Sequence, residues 1–300
     1  MIIDCHYHHD LSMLKTDQLL AKMDESGVDQ IVLIPCMNGE IPMPPDFMLK
    51  VMRFFLTHRR LRGLARRGAT NFDKDGDLKL PLGKIKILRD PAHEAVNEAI
   101  QQHPNRFKGW VFINPHGDHD PLQEVARWLN VPGFIGVKAH PFWHQYGPEA
   151  LKEVAHVAAK LNKPMLVHVG FDQNEELSAL LNEVPGLKLI LAHAAFPGYA
   201  DTWAIIKDKP NVVVDLSAEA YVDEKITKQA IDYLGVDRCL FGTDGPYGTR
   251  AADGLYDYGL MKRRIEKMYP DPGIQRKILG ENFLEFTGIS TREMQAARVS

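Results

Sequence analysis

Three polar side chains alternate along the opening residues Met1-Ile2-Ile3-Asp4-Cys5-His6-Tyr7-His8-His9, a spacing that can do chemistry if the segment is a strand. Residues two apart on a strand share a face, so Asp4, His6 and His8 are expected to point one way and Ile3, Cys5 and Tyr7 the other. Two imidazoles at one strand end can chelate one metal ion. With 13 His in 300 residues, composition alone makes one His-x-His pair unremarkable, and position at the start of the chain is what sets this pair apart. Further candidates end other apolar runs: Lys138 and His140 after Phe-Ile-Gly-Val, His168 after Met-Leu-Val, His193 after Leu-Ile-Leu-Ala, and Thr243-Asp244 after Cys-Leu-Phe-Gly. A lone His at the end of an apolar strand is more often a core residue with a satisfied hydrogen bond. Four strands ending independently in His or Asp make a poor coincidence. Imidazoles with one carboxylate suit zinc or another first-row divalent ion with one position left open. Thiolates are absent from the set, which argues against a structural zinc.

The elements that must position these residues follow a regular rhythm. After the first strand, Thr16 to Gly27 reads as a helix with Leu19, Leu20 and Met23 on its apolar face and a glycine at its end, and Gln30 to Pro35 reads as the second strand. From Asp90 onward, helix-like runs at 91–103, 121–129, 148–161, 175–183, 198–207 and 224–234 alternate with strands at 109–114, 134–138, 164–169, 187–192, 211–216 and 238–242. Runs such as MLVHV, LILAH and VVVDL are almost continuously apolar, as in strands covered on both faces. Eight strand–helix units predict an α/β protein with a single (β/α)8 TIM barrel, whose chemistry belongs at the C-terminal ends of the strands.

One stretch breaks the rhythm. Residues 36 to about 90 are too many for an ordinary strand-to-helix connection, and they hold a Pro-rich opening, a basic helix-like run from Phe47 to Arg67 and a polar segment with Asp73, Asp75 and Asp77. We read it as an insertion after strand two that covers the site. The basic run is a solvated face, and Asp-Lys-Asp-Gly-Asp resembles part of a calcium loop but lacks its closing Glu. Residues after Gly248 are expected to form terminal helices. The barrel with its insertion then spans 1–290, and 291–300 is a helical or frayed tail.

Composition sets the outer bounds. Hydrophobic residues at 45%, charged residues at 25% and a net charge of -3 describe a soluble globular protein and give no reason to expect nucleic acid or an anionic membrane. No apolar stretch approaches the roughly 20 residues needed to span a bilayer, and no charged segment followed by an apolar run opens the chain, so a cytoplasmic protein is expected. Cys5, Cys36 and Cys239 each sit in an apolar run and are expected as buried free thiols. The expected partner is a small molecule, and a homodimer is compatible with this composition.

In its motifs the chain resembles the amidohydrolase superfamily, in the branch of hydrolases and non-oxidative decarboxylases related to aminocarboxymuconate semialdehyde decarboxylase. The resemblance runs through Ile3-Asp4-x-His6-x-His8, Gly136-Val137-Lys138-x-His140-Pro141, Val167-His168-x-Gly170, Leu191-Ala192-His193, Phe241-Gly242-Thr243-Asp244-x-Pro246 and Ile278-Leu279-Gly280-x-Asn282. It implies that His6, His8, His168 and Asp244 hold one divalent metal, zinc first and manganese or another first-row ion next, with His193 and Asp244 as the catalytic pair. Asp4 is expected deeper on the same face, orienting a ligand. A strand-four Lys bridges two ions as a carbamate in binuclear members of the superfamily; Lys138 otherwise binds a substrate carboxylate or pairs with Asp244. His140 and Trp143 either line the pocket or pack beneath the insertion. The implied function is hydrolysis of a small carboxylated lactone, amide or ester, with decarboxylation of a small carboxylic acid as the alternative and a metal-binding barrel without turnover as the third reading. Gly-x-Lys-x-His-Pro on strand four tilts the choice to hydrolysis, because it marks hydrolase-like members of the branch.

Overall fold

The computed structural model describes residues 1–39, 46–58, 60–80 and 83–295. Its strands are Ile3–His9 (β1), Gln30–Pro35 (β2), Leu78–Leu80 (β3), Gly83–Ile85 (β4), Phe107–Ile113 (β5), Phe134–Ala139 (β6), Met165–Val167 (β7), Leu189–Leu191 (β8), Val212–Asp215 (β9) and Cys239–Leu240 (β10). Eight of them form one sheet in the order β1-β2-β5-β6-β7-β8-β9-β10, each neighbouring pair parallel. The sheet closes on itself where Cys5 N–H donates to Phe241 O (3.1 Å), Asp244 N–H to His6 O (2.7 Å) and His8 N–H to Gly245 O (2.7 Å). This is the (β/α)8 barrel that the alternating apolar runs predict. The helices between its strands start and stop where the sequence says they should. Asp120 accepts from the backbone N–H of Leu122 and Gln123, with Pro121 opening the helix Pro121–Trp128, and Gly27 ends the helix Thr16–Ser26 in the left-handed conformation at φ 64°.

The core has two layers, separated by the sheet. Val32, Ile34, Trp110, Phe112, Leu166, Ile190, Val213 and Leu240 pack with Ile3 and Cys5 inside the barrel, while their strand neighbours, such as Ile31, Leu33, Val111, Val167, Leu191 and Val214, pack outward against the helices. Alternation along β1 is broken. Ile3 and Cys5 belong to the interior group, but Tyr7 belongs to the outer one, and the register against β2 shifts between Asp4 and Tyr7. An irregularity of this kind flips the phase of a strand. Asp4 therefore lies on the outward face with Thr243 and Tyr258, not on the face of His6 and His8 as strict alternation predicts.

The stretch between β2 and β5 carries the helices Asp46–Thr57 and Arg62–Ala69, the β3–β4 hairpin and the helix Glu94–Gln102. The basic run predicted as one helix over 47–67 is two, and most of the Pro-rich opening (residues 40–45) lies outside the described residues, as do residues 296–300 of the tail. The hairpin packs Leu78, Ile85 and Ile87 on Trp143, and Phe72 meets the Phe142 ring at 6.4 Å. Arg62 pairs with Asp201 at 3.0 Å and Arg66 with Asp172, so the helix Arg62–Ala69 is tied to the loop that follows β7 and to the helix Ala200–Ile206 that follows β8. In the aspartate-rich loop, the Lys84 ammonium stands 2.8 Å from Asp73 and 2.7 Å from Asp77, so this loop carries its own cation. Cys5 and Cys239 are buried free thiols, whereas Cys36 is only half-buried, because it follows β2 where the barrel opens. No helix of the described residues is long and apolar enough to cross a membrane.

Candidate metal centre

Six of the eight barrel strands, all but β2 and β5, bring a charged or imidazole side chain to the centre at or just beyond their upper ends. Lys138 of β6, His168 after β7, His193 after β8 and Asp215 of β9 cap the apolar interior together with His6, and all five are buried. Asp244 follows β10 with φ 60°, a left-handed backbone that brings its carboxylate back over β1. Its Oδ1 lies 3.3 Å from His6 Nε2 and 3.2 Å from His8 Nε2. Ligand atoms of His6, His8 and Asp244 all lie within 4.8 Å of one another, as do those of His6, His193 and Asp215. Gly242 makes the closeness of β10 and β1 feasible: a Cβ there would stand 3.0 Å from the Cβ atoms of His6 and Ser217.

The remaining sequence candidates gather around this pair of sets. The His168 ring lies 4.6 Å from that of His193 and 4.2 Å from that of His140, and its Nε2 is buried with no hydrogen-bond partner among the described residues. His193 stacks on His6 at 4.8 Å, and its Nε2 lies 3.9 Å from Asp244 Oδ1. The Lys138 ammonium is likewise buried with no hydrogen-bond partner among the described residues, and it forms no pair with Asp244. His140 accepts the Trp143 backbone N–H on Nδ1 (3.0 Å), which caps the short helix Pro141–His144 and lays the two rings together at 4.8 Å. Trp143 packs beneath the β3–β4 hairpin. Asp4 accepts the His6 N–H (3.0 Å), the Thr243 N–H (3.1 Å) and hydroxyl (2.7 Å), and the Tyr258 hydroxyl (3.1 Å), which fixes the backbone on both sides of the centre.

Electrostatics at the centre favour neutral imidazoles beside ionised carboxylates. Burial pushes His6 down to about 3, with the Lys138 charge adding to it, and Asp215 and Asp244 pulling the other way. Burial likewise lowers His168 and His140 well below the usual range, and lowers His193 against the opposing pull of Asp244 and Asp215. For Asp244, burial works to raise the carboxyl, but the neighbouring His193, His8 and His6 outweigh it and hold it at about 2. Asp215 follows the same pattern, held low by His6 and His193 against its burial. Burial brings Lys138 down to about 8. A cluster of bare imidazole nitrogens and a carboxylate has the donor set of a first-row divalent ion.

Two residues at the centre carry no expectation from the sequence. Asp215 Oδ2 meets His6 Nδ1 at 2.9 Å, while its Oδ1 accepts the backbone N–H of His193 (3.0 Å) and of Ser217 (3.0 Å). Ser217 Oγ contacts Asp215 Oδ1 and lies 2.8 Å from His193 Nδ1. The signal was present, since Asp215 ends the apolar run Val-Val-Val in the same way as His168 ends Met-Leu-Val. Above the centre, Phe196 stacks on Tyr221 at 4.2 Å, Tyr221 stands 5.5 Å from His193, and Tyr247 stands 5.5 Å from His8, so the mouth is walled by aromatic rings.

A barrel with His and Asp side chains gathered at its C-terminal mouth has the build of a barrel enzyme. The chain belongs to the amidohydrolase family, whose sequence model matches residues 3–286. No curated protein sequence matches it. Among solved structures, it is similar to a probable 2-pyrone-4,6-dicarboxylic acid hydrolase from Acinetobacter baumannii with citric acid bound, at 16% identity and a TM-score of 0.60 over 96% of this chain and 99% of that one. It is similar to 4-oxalomesaconate hydratase from Rhodopseudomonas palustris, at 16% identity and a TM-score of 0.59 over 96% of both chains. A third likeness is 5-carboxyvanillate decarboxylase from Novosphingobium aromaticivorans complexed with manganese and 4-hydroxy-3-methoxy-5-nitrobenzoic acid, at 15% identity and a TM-score of 0.57 over 90% of this chain and 79% of that one. At such identities these likenesses establish the fold.

Proposed function

We propose that the chain is a metal-dependent hydrolase of a small carboxylated lactone, amide or ester, in which His6, His8, His168 and Asp244 hold one divalent ion and His193 is the acid and base. The observation that carries this reading is the convergence of His6 Nε2 and His8 Nε2 on one oxygen of Asp244, at 3.3 and 3.2 Å, beside a buried His168 Nε2 with no partner among the described residues. Buried polar nitrogens are costly to leave bare, and a cation among them satisfies several at once. Zinc is our first choice for this donor set, with manganese the ion bound by the carboxyvanillate enzyme. A divalent ion held there supplies Lewis acidity, which polarises a carbonyl and makes water acidic enough to lose a proton near neutral pH.

The chain's own residues do the rest. His193 accepts the proton at Nε2 and returns it to the leaving group, a role worth about 10²- to 10⁴-fold for a positioned His. Asp244, held down to about 2 by the neighbouring rings, stays ionised, and its Oδ1 faces the Nε2 atoms of both strand-one rings. Lys138, charged over most of the range below about 8, is a buried cation with no partner among the described residues and suits a substrate carboxylate. His140 and Trp143 form the wall beside His168, and Tyr221, stacked on Phe196, stands 5.5 Å from the ring of His193. The solved relatives named above act on or bind carboxylic acids, which supports a carboxylated substrate. The reading includes a small-molecule partner, a cytoplasmic place of action and residues 1–290 as the one catalytic unit.

The alternative is a decarboxylase, supported by the likeness to the carboxyvanillate enzyme, in which His193 delivers a proton to carbon. We favour hydrolysis for the Gly136-x-Lys138-x-His140-Pro141 motif of the barrel's fourth strand. Turnover of candidate lactones, amides and carboxylated phenols in labelled solvent decides between them. A hydrolase places solvent oxygen in the product, and a decarboxylase releases carbon dioxide and places one solvent deuteron on product carbon. If solvent oxygen never enters any product, the hydrolase reading is wrong.

A further inference from the structure

Asp215 takes four hydrogen-bond contacts, and both of its oxygens are engaged from below. Oδ2 faces His6 Nδ1 at 2.9 Å, and Oδ1 receives the His193 N–H, the Ser217 N–H and the Ser217 hydroxyl. An ionised carboxylate only accepts hydrogen bonds. Its two contacts with ring and hydroxyl groups therefore fix where two protons sit. His6 must carry its proton on Nδ1 to reach Oδ2. Ser217 must direct its single proton to Oδ1, because a hydroxyl oxygen in contact with a carboxylate oxygen without a proton between them would be repelled.

Ser217 Oγ, with that proton committed, can only accept from the two rings it touches, His193 Nδ1 at 2.8 Å and, at the longer 3.3 Å, His6 Nδ1, whose main acceptor is Asp215 Oδ2. We infer that Asp215 and Ser217 are positioning residues that set the tautomers of both His6 and His193, so that each ring presents a bare Nε2 to the centre. The geometry is consistent at the other end of each ring. His6 Nε2 is buried with no hydrogen-bond partner among the described residues and stands 3.3 Å from Asp244 Oδ1, where a protonated nitrogen at this distance would bond to the carboxylate instead of to an ion. His193 Nε2 stands 3.9 Å from the same oxygen, too far for a hydrogen bond.

The same carboxylate also holds the backbone that aims His193. His193, Ala194 and Ala195 have φ of 55°, 52° and 60°, three successive left-handed residues with side chains, a conformation that costs about 1–2 kcal/mol at each. The bond from His193 N–H to Asp215 Oδ1 pins the first of them. One side chain thus fixes a ring that we assign to the metal, a ring that we assign to proton transfer, and the turn that carries the second. The roles given to the two rings rest on the proposed function, but the tautomers do not.

The test is nitrogen NMR on the full-length, metal-free chain with ¹⁵N-labelled histidine, with His6 and His193 assigned through single variants. The expected result is a protonated Nδ1 and an unprotonated Nε2 on both rings. In Ser217→Ala, His193 should lose its acceptor and shift toward the Nε2–H form while His6 stays as it was. In Asp215→Asn, an amide in place of the carboxylate should disturb the tautomer of at least one ring. It should also weaken zinc binding about 10- to 100-fold, the usual cost of losing a carboxylate behind a metal-binding His. A wild-type His193 protonated at Nε2, or tautomers unchanged in the variants, would overturn the inference. If either variant fails to fold, the wild-type spectrum and the other variant still decide. No substrate or metal enters the tautomer measurement, so its outcome is separate from whether the chain hydrolyses anything.

Discussion

Thr243 gives Asp4 both its backbone N–H, at 3.1 Å, and its hydroxyl, at 2.7 Å, and this pair ties the first barrel strand to the last. Asp244, which follows Thr243, is thereby set against His6 and His8 by a bond made on the other face of the strand. Asp4 has four donors, and replacing it with Asn turns one acceptor edge into a donor that faces donors. A buried polar group left unmade costs about 1–3 kcal/mol. Asp4→Asn should therefore lose about 3 kcal/mol of stability in urea unfolding and bind zinc more weakly. Unchanged unfolding would show that the barrel closes without this bond.

Metal content separates the roles of two neighbouring rings. His168→Ala removes a proposed ligand and should leave the protein with little bound metal by elemental analysis. His193→Asn should keep metal near the wild-type level and lose about 10²- to 10⁴-fold in turnover. The reverse pattern, with metal kept by the first variant and lost by the second, would exchange the two assignments.

Strand ends were the legible part of this site. His6, His8, His168, His193 and Asp244 can be read off the sequence because each closes an apolar run, and a barrel delivers the ends of such runs to one mouth. Two-residue alternation puts Asp4 on the wrong face because it fails across the irregularity between Asp4 and Tyr7, and one inserted residue is invisible to a period-two pattern. Asp215 is hard to read for a different reason: a carboxylate whose bonds run to a ring 209 residues away gives no local sign of its partner. The break between the helices Asp46–Thr57 and Arg62–Ala69 also escaped, since neither Gly nor Pro marks it.

His93 should make part of the stability pH-dependent, away from the metal centre. It is buried against Trp128, accepts the Phe112 N–H on Nε2 at 2.8 Å, and is lowered by burial to about 4. Above pH 6.5, the ring is neutral in both the folded and unfolded chain and contributes nothing. As pH falls from 6.5 toward 4, the unfolded chain takes up the proton and the folded chain does not, so stability is lost through that window, by up to about 3 kcal/mol. His93→Gln keeps an acceptor for Phe112 and cannot titrate. The difference in unfolding free energy between wild type and His93→Gln should therefore shift in favour of the variant as the pH is lowered from 7 to 4.5. A constant difference would mean that His93 is protonated as readily in the fold as outside it.

Magnitudes decide what holds the segment between β2 and β5 against the barrel. The pair Arg66–Asp172 is half exposed on one side and 72% exposed on the other, and Arg62–Asp201 is 18% and 34% exposed. Pairs of this kind contribute about 0–1 kcal/mol each. Trp143, by contrast, is packed against Leu78, Ile85 and Ile87 from the hairpin and against the ring of His140. Truncating a buried Trp costs about 3–5 kcal/mol, and a half-buried one should cost about 2. Hydrogen exchange at the backbone amides of residues 71–80 and 83–87 reads this difference. In Trp143→Ala those amides should exchange about 30-fold faster, the rate equivalent of 2 kcal/mol. In the double variant Arg62→Ala and Arg66→Ala they should change by less than about 10-fold, with global unfolding nearly unaltered. If the arginine variant instead exposed the hairpin more than the tryptophan variant, charge and not packing would hold the segment in place.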